Sequence, residues 1–302
     1  GMSRDILLIT IDCWRHDAPE QMPKFHSLAA DWGRRDVMCA GAATNAAFPA
    51  LFTGQHGPSA YTGTGAVRES VTSLPDVLSE AGYETGGFVA SNPFLGKWSS
   101  RFDTFWNDGM TADGVTANRE QFGTARKLAS FATLSPRVTA TDVFERASAW
   151  WQQASSPRFC WLHLMEPHAP YYPGLKRGVH HGIFKTYRAL LEFSHDAGSL
   201  SQAAKARVRD LHFEAVRHLD DQLSEWLAIF DDSLVVVTGD HGEEFDHGSY
   251  GHARLYDETV RVPLYTNASR TLPDTELIRQ QDLSPLVCRA AGVDTQTEWN
   301  NK

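Results

Sequence analysis

The sequence predicts an α/β fold, a mostly parallel central sheet with helices on both faces. Two observations carry this. Short continuous apolar runs end abruptly in Asp, Gly or Pro, and longer segments of helical periodicity separate them. The 302 residues, 42% apolar and 11% aromatic, suffice for a large core, and one α/β domain over residues 1–302 is expected.

The first run, Ile6 to Ile11, is apolar or Thr throughout and stops at Asp12. A strand covered on both faces has this pattern, whereas a half-exposed strand alternates. Ser233 to Thr238 repeats it and runs into Gly239-Asp240-His241-Gly242, where the two glycines permit a tight turn. Phe159 to Leu164 is a third run, leading into Glu166-Pro167-His168-Ala169-Pro170-Tyr171. Weaker strands are expected at 36–42, 85–90 and 262–266. Helices are expected at 23–32, at 74–81 with Pro75 early, and at 140–153. The longest helical pattern joins Val208, Leu211, Ala215, Leu219, Leu223, Leu227 and Phe230, one apolar stripe with Arg and Asp opposite. Residues of about 98–135, rich in Gly, Thr, Ser and Asn, read as an irregular insertion covering the site.

The net charge of −9 and the lack of a Lys/Arg run argue against nucleic acid or a membrane surface as partner. No segment reaches the roughly 18 apolar residues of a membrane helix, and Ile6 to Ile11 is too short for a signal-peptide core. Cys13, Cys39, Cys160 and Cys288 form no CxxC pair, as expected of reduced thiols. These features point to a cytoplasmic location. Oligomeric state is unreadable.

Ligands of open α/β sheets gather beyond the carboxyl ends of the strands, where Asp12, His168, Asp240 and His241 fall. Asp240-His241 is the strongest signal, since a carboxylate and an imidazole at a strand end can hold a divalent ion from a rigid base. The segment Thr238-Gly239-Asp240-His241-Gly242-Glu243-Glu244, with His247, His252 and Val262-Pro263-Leu264 following, resembles the sulfatase branch of the alkaline-phosphatase superfamily. Three further segments resemble that family: Asp12-Cys13-Trp14-Arg15-His16-Asp17 its first metal-binding strand end, Leu162 to Tyr171 its H-x-x-x-D/E-P-H-x-P-Y stretch, and Asp282-Leu283-Ser284-Pro285 its D-L-x-P stretch.

The resemblance implies an alkaline-phosphatase-like fold, here ending before the C-terminal subdomain many sulfatases carry, and one divalent ion bound by Asp12, Asp240, His241 and the nucleophile. Leu51-Phe52-Thr53-Gly54 resembles the end of the nucleophile motif, and counting back places Thr44 at the nucleophile. This chain reads Thr44-Asn45-Ala46-Ala47-Phe48 where a formylglycine sulfatase has C/S-x-P-x-R. Thr cannot become formylglycine, so a metal-bound Thr alkoxide acting on a phosphomonoester or phosphodiester is expected, by hydrolysis or transfer. An unmodified-Thr sulfatase and a catalytically degenerate binding protein are the alternatives. Thr44 also reads as an N-cap for a helix beginning near Ala46.

Cys13 replaces a frequent second carboxylate, and His241 adds imidazole, so zinc or manganese is favoured over calcium or magnesium. His168 and His252 are expected to act on the ester oxygens or the leaving group, and Asn45 and His247 to bind substrate, a small anionic ester. Glu166, with His168 and His252, is weighed as a ligand of a second ion. Arg15 and Asp17 read as an ion pair, His163 as a satisfied core residue, His180 and His181 as loop residues, and His212 and His218 as surface or packing residues.

Overall fold

A computed structural model describes residues 3–108 and 124–295. Its strands are β1 (Ile6–Ile11), β2 (Gly33–Met38), β3 (Glu84–Val89), β4 (Thr104–Asn107), β5 (Arg158–Leu164), β6 (Leu234–Gly239), β7 (Arg261–Thr266) and β8 (Leu277–Arg279). Its helices are α1 (Pro23–Leu28), α2 (Thr44–Thr53), α3 (Gly57–Ala60), α4 (Leu74–Glu80), α5 (Thr124–Thr133), α6 (Ala140–Gln153), α7 (Leu175–His181), α8 (Ile183–Phe193), α9 (Gln202–Trp226), α10 (Asp257–Val260) and α11 (Leu283–Ala291).

The strands form one eight-stranded sheet in the order β4-β3-β5-β1-β6-β7-β2-β8. All pairings are parallel except those of β7 with β6 and β2. Each of the three central strands, β1, β5 and β6, is buried along nearly its whole length. Successive side chains point to opposite faces, and the core divides accordingly. Ile6, Leu8, Phe159, Trp161, Leu234 and Val236 pack with α2, α4 and α11 on one face. Leu7, Ile9, Ile11, Cys160, Leu162 and Val235 pack with α1, α6 and α9 on the other. This two-sided burial is why the central runs do not alternate in sequence.

The expected elements recur with shifted ends. The expected strand at 36–42 is β2, which starts earlier and stops at Met38; residues from Cys39 onward leave the sheet to deliver Thr44 to the site. The expected helix at 23–32 stops at Leu28, because the chain must turn to enter β2. The long helix begins at Gln202, where Ser201 caps it by accepting from Ala204 N, and tightens into a 3₁₀ turn over Leu227–Phe230. The 98–135 stretch is less irregular than expected: it carries the edge strand β4 and helix α5, and residues 109–123 of it lie outside the described residues. His180 and His181, read as loop residues, lie in α7. Among the described residues no helix is long and apolar enough to cross a membrane.

Candidate active site

Strand β1 lies between β5 and β6, so their carboxyl ends meet at one place. Asp12 follows β1, Asp240 and His241 follow β6, and Thr44 opens α2 from a segment that crosses above them. The four side chains are nearly or wholly buried, Thr44 being the most exposed at 5%. Thr44 Oγ1 lies 2.7 Å from Asp240 Oδ2, 3.1 Å from Asp12 Oδ2 and 3.4 Å from His241 Nε2. His241 Nε2 is 3.3 Å from Asp12 Oδ1 and 3.6 Å from Asp240 Oδ2. Thr44 is not the N-cap: Ala43 holds that position without a side-chain bond, and the Thr44 hydroxyl is directed to the carboxylates.

These spacings suit a metal. Four ligands about 2.0–2.1 Å from a zinc ion in a tetrahedron stand about 3.3 Å apart, close to the separations observed. Asp12 with Cys13 and His241, and Asp12 with His163 and Asp240, form groups whose ligand atoms lie within 4.8 Å of one another. His241 is oriented for the role: its Nδ1 bonds the Gly242 carbonyl at 2.9 Å, leaving Nε2 toward the cluster. Burial would raise the Asp12 carboxyl, but hydrogen bonds from His163 and His241 outweigh it and hold Asp12 well below the usual carboxylate range. Asp240 is pushed up by burial and by the Asp12 charge beside it. Burial disfavours protonated His241, yet Asp240 and Asp12 overcome it and raise its pKa to about 10. A cation therefore belongs in this cluster, as a proton on His241 or as an ion.

Several supporting residues escaped the sequence reading. Asn92, just beyond β3, donates from Nδ2 to Asp12 Oδ2 at 3.2 Å; its position after a strand end was the one available signal. His163 is a satisfied core residue, as expected, but its partners are Thr10 Oγ1 at 2.7 Å and Asp12 Oδ2 at 3.1 Å, so it also fixes a site carboxylate. Gln280 Nε2 donates to the Asp240 carbonyl at 2.9 Å. Lys97 Nζ donates to Asn45 Oδ1 at 2.6 Å and lies 4.4 Å from the centre of the Tyr61 ring.

His252 and His168 stand beside the cluster. The His252 ring is 4.5 Å from that of His241 and 5.5 Å from that of His168. His252 Nδ1 is 3.0 Å from Glu243 Oε1, and Tyr171 OH donates to Glu243 Oε2 at 2.7 Å, so a buried carboxylate orients this imidazole. Cys13, at φ +56°, groups with His168 and His252 as potential ligands. Glu166 does not join them: its Oε2 accepts from Ala140 N and Gln222 Nε2, both at 2.9 Å, which ties it to α6 and α9. His247 is drawn elsewhere. Its ring stacks on Tyr256 at 3.7 Å and its Nε2 meets Glu258 at 3.0 Å. Arg15 and Asp17 form the expected ion pair at 2.9 Å. His212, read as surface or packing, is wholly buried and bonds the Pro167 carbonyl at 3.0 Å, and His218 is partly buried. All four cysteines are free and buried.

The family model for sulfatases matches residues 15–293. The chain belongs to the sulfatase family. No curated protein sequence matches it significantly. Among solved structures, this sulfatase-family chain is similar to the zinc complex of the C-terminal periplasmic domain of EptC from Escherichia coli, with TM-score 0.70 and 15% identity over 99% of this chain and 85% of that one. It is also similar to the phosphonate monoester hydrolase of Agrobacterium radiobacter, with TM-score 0.65 and 16% identity over 96% and 74%. The lipoteichoic acid synthase LtaP from Listeria monocytogenes gives TM-score 0.64 and 15% identity over 98% and 73%. At these identities the likeness is one of fold, and it extends over nearly the whole chain.

Proposed function

We propose that this sulfatase-family protein is a metal-dependent enzyme that hydrolyses or transfers phosphate esters, monoesters or diesters, with Thr44 as nucleophile. One observation carries the reading: a threonine hydroxyl at the start of a helix sits within 3.4 Å of two buried carboxylates and an imidazole, at separations matching a tetrahedral ligand set. Asp12, Asp240, His241 and Thr44 would hold one divalent ion, zinc or manganese by the nitrogen in the set. Such an ion lowers the pKa of the hydroxyl and draws charge from the ester oxygens.

The chain's own groups account for the rest. Thr44 Oγ1, held 2.7 Å from Asp240 Oδ2, releases its proton to solvent and forms a bond to phosphorus as the bond to the departing alcohol oxygen breaks. Asn45, whose Oδ1 is taken by Lys97, keeps its amide hydrogens for a non-bridging oxygen. His252, oriented by Glu243, or His168 protonates the leaving oxygen. Water, or an acceptor alcohol in the transfer reaction, then releases the group from Thr44. The solved structures of similar fold include a phosphonate monoester hydrolase, which accords with phosphorus chemistry. The four buried free cysteines accord with a cytoplasmic location.

The reading is tested by Thr44→Ala. Turnover of phosphate, phosphonate and sulfate esters should fall to background while bound metal, counted on purified protein, stays near the wild-type level. Retention of most activity would remove Thr44 from the nucleophile role. A wild-type preference for the sulfate ester would transfer the same geometry to an unmodified-Thr sulfatase, and silence on every ester with metal bound would mark a binding protein.

A further inference from the structure

A cavity of about 370 Å³ opens directly beside Thr44, Asn45, His168 and His252, large enough for a ring-sized group. Its chemistry is uneven. The polar side chains with reactive potential gather at the Thr44 end, and the opposite wall is carbon: Pro93, Phe94, Val138, Met165, Pro170 and the Tyr172 ring. Most polar groups that reach this wall are occupied; Ser91 Oγ and Glu166 Oε1 are the buried exceptions without a partner among the described residues. Asn92 is spent on Asp12 Oδ2 and on Phe94 N, Arg137 on Asp108, and Glu166 Oε2 on Ala140 N and Gln222. Phe94 is 53% exposed at the mouth, an aromatic face left uncovered by the fold.

A sugar entering here would lose water from several hydroxyls and find few partners to replace it. An apolar ring would lose little and bury carbon against carbon. We propose that this cavity is the leaving-group site and selects esters of alcohols with an apolar, ring-sized body, benzyl-like or cycloalkyl-methyl, over sugar esters and over small alkyl esters. The proposal rests on the reading of Thr44 as nucleophile for its kinetic consequence, while its binding consequence stands apart from turnover. Phe94 is then a specificity-determining residue, closing one side of the ring without touching the reacting atoms.

The experiment compares benzyl phosphate with glucose 6-phosphate on the full chain loaded with zinc. Both leaving groups are primary alcohols, so recognition rather than leaving-group ability decides the ratio. Benzyl phosphate should be favoured in kcat/KM by about 100-fold, the order a hydrophobic pocket attains for several carbons. Phe94→Ala should reduce that ratio about tenfold and Phe94→Leu should restore most of it. In parallel, calorimetry with benzylphosphonate and methylphosphonate reads binding without turnover, and the benzyl compound should bind at least tenfold more tightly. If no ester turns over yet benzylphosphonate shows this preference and Phe94→Ala removes it, the site stands and the catalytic reading falls. Equal or better use of glucose 6-phosphate, equal binding of the two phosphonates, or a ratio untouched by Phe94→Ala would overturn the proposal.

Discussion

Replacing Glu166 by Gln should stabilise the protein in mildly alkaline buffer and change little in mild acid. Glu166 is 2% exposed, and Oε2 accepts two hydrogen bonds while Oε1 has no partner among the described residues. Burial therefore dominates and lifts its pKa from the usual 4.5 to about 7, against the opposing pull of the bonds from Ala140 and Gln222. The folded carboxyl keeps its proton over a range where the unfolded one has lost it. Stability accordingly falls as pH rises from 4.5 to about 7 and levels off above that, since the unfolded chain binds fewer protons there. That gap, at about 1.4 kcal/mol per pH unit, makes about 3 kcal/mol the upper size of the effect. Glutamine keeps an oxygen for both donors and carries no charge. Buried His212 works in the opposite sense, its pKa pushed down by burial to about 4, so stability is lost as pH falls from 6.5 toward 4. The comparison of wild type and variant cancels that contribution. Urea unfolding of both proteins at pH 5 and pH 8 is the assay. The variant's advantage should be larger at pH 8 by 1–3 kcal/mol, on the order the pKa gap allows, and an equal difference at the two pH values would refute the reasoning.

Asn92→Ala should lower activity or metal affinity about 10–100-fold while the protein stays folded, because it removes the donor that fixes Asp12 Oδ2; metal titration beside kcat/KM checks this. Gly242→Ala should destabilise by about 3 kcal/mol or prevent folding, since a Cβ there would overlap the backbone carbonyl oxygen of Glu258. Thermal unfolding reads it, and a melting temperature near wild type would show that the turn after His241 is less constrained than the packing implies.

The central sheet was legible because burial on both faces leaves an unmistakable trace, unbroken apolar runs such as Ile6 to Ile11 and Ser233 to Thr238. The strand ends then located Asp12, Asp240 and His241. Strand β4 was not legible: Thr104-Phe105-Trp106-Asn107 is short, lies at the sheet edge and sits in a polar stretch. Helices α7 and α8 were missed for a related reason: Gly178 lies inside α7 and Gly182 between the two helices, so the stretch around His180 and His181 reads as a Gly-flanked loop. At the site, Thr44 could be placed by counting back from Thr53-Gly54, but the function of its hydroxyl could not be separated from capping until Ala43 was seen to occupy the cap. Lys97 and Gln280 left no pattern, and Asn92 only its place after a strand end, because a residue that acts on a site from another element carries its meaning in distance rather than spacing. His247 shows the converse: a histidine in a motif-like stretch is claimed by Tyr256 and Glu258 next to it.

The most direct test of the account is to quench the zinc-loaded protein during turnover of a phosphate ester and map the covalent adduct by mass spectrometry. A phosphoryl adduct should appear on the peptide containing Thr44 and be lost in Thr44→Ala. Efficient turnover with the adduct on another side chain, or with turnover persisting in Thr44→Ala, would contradict it.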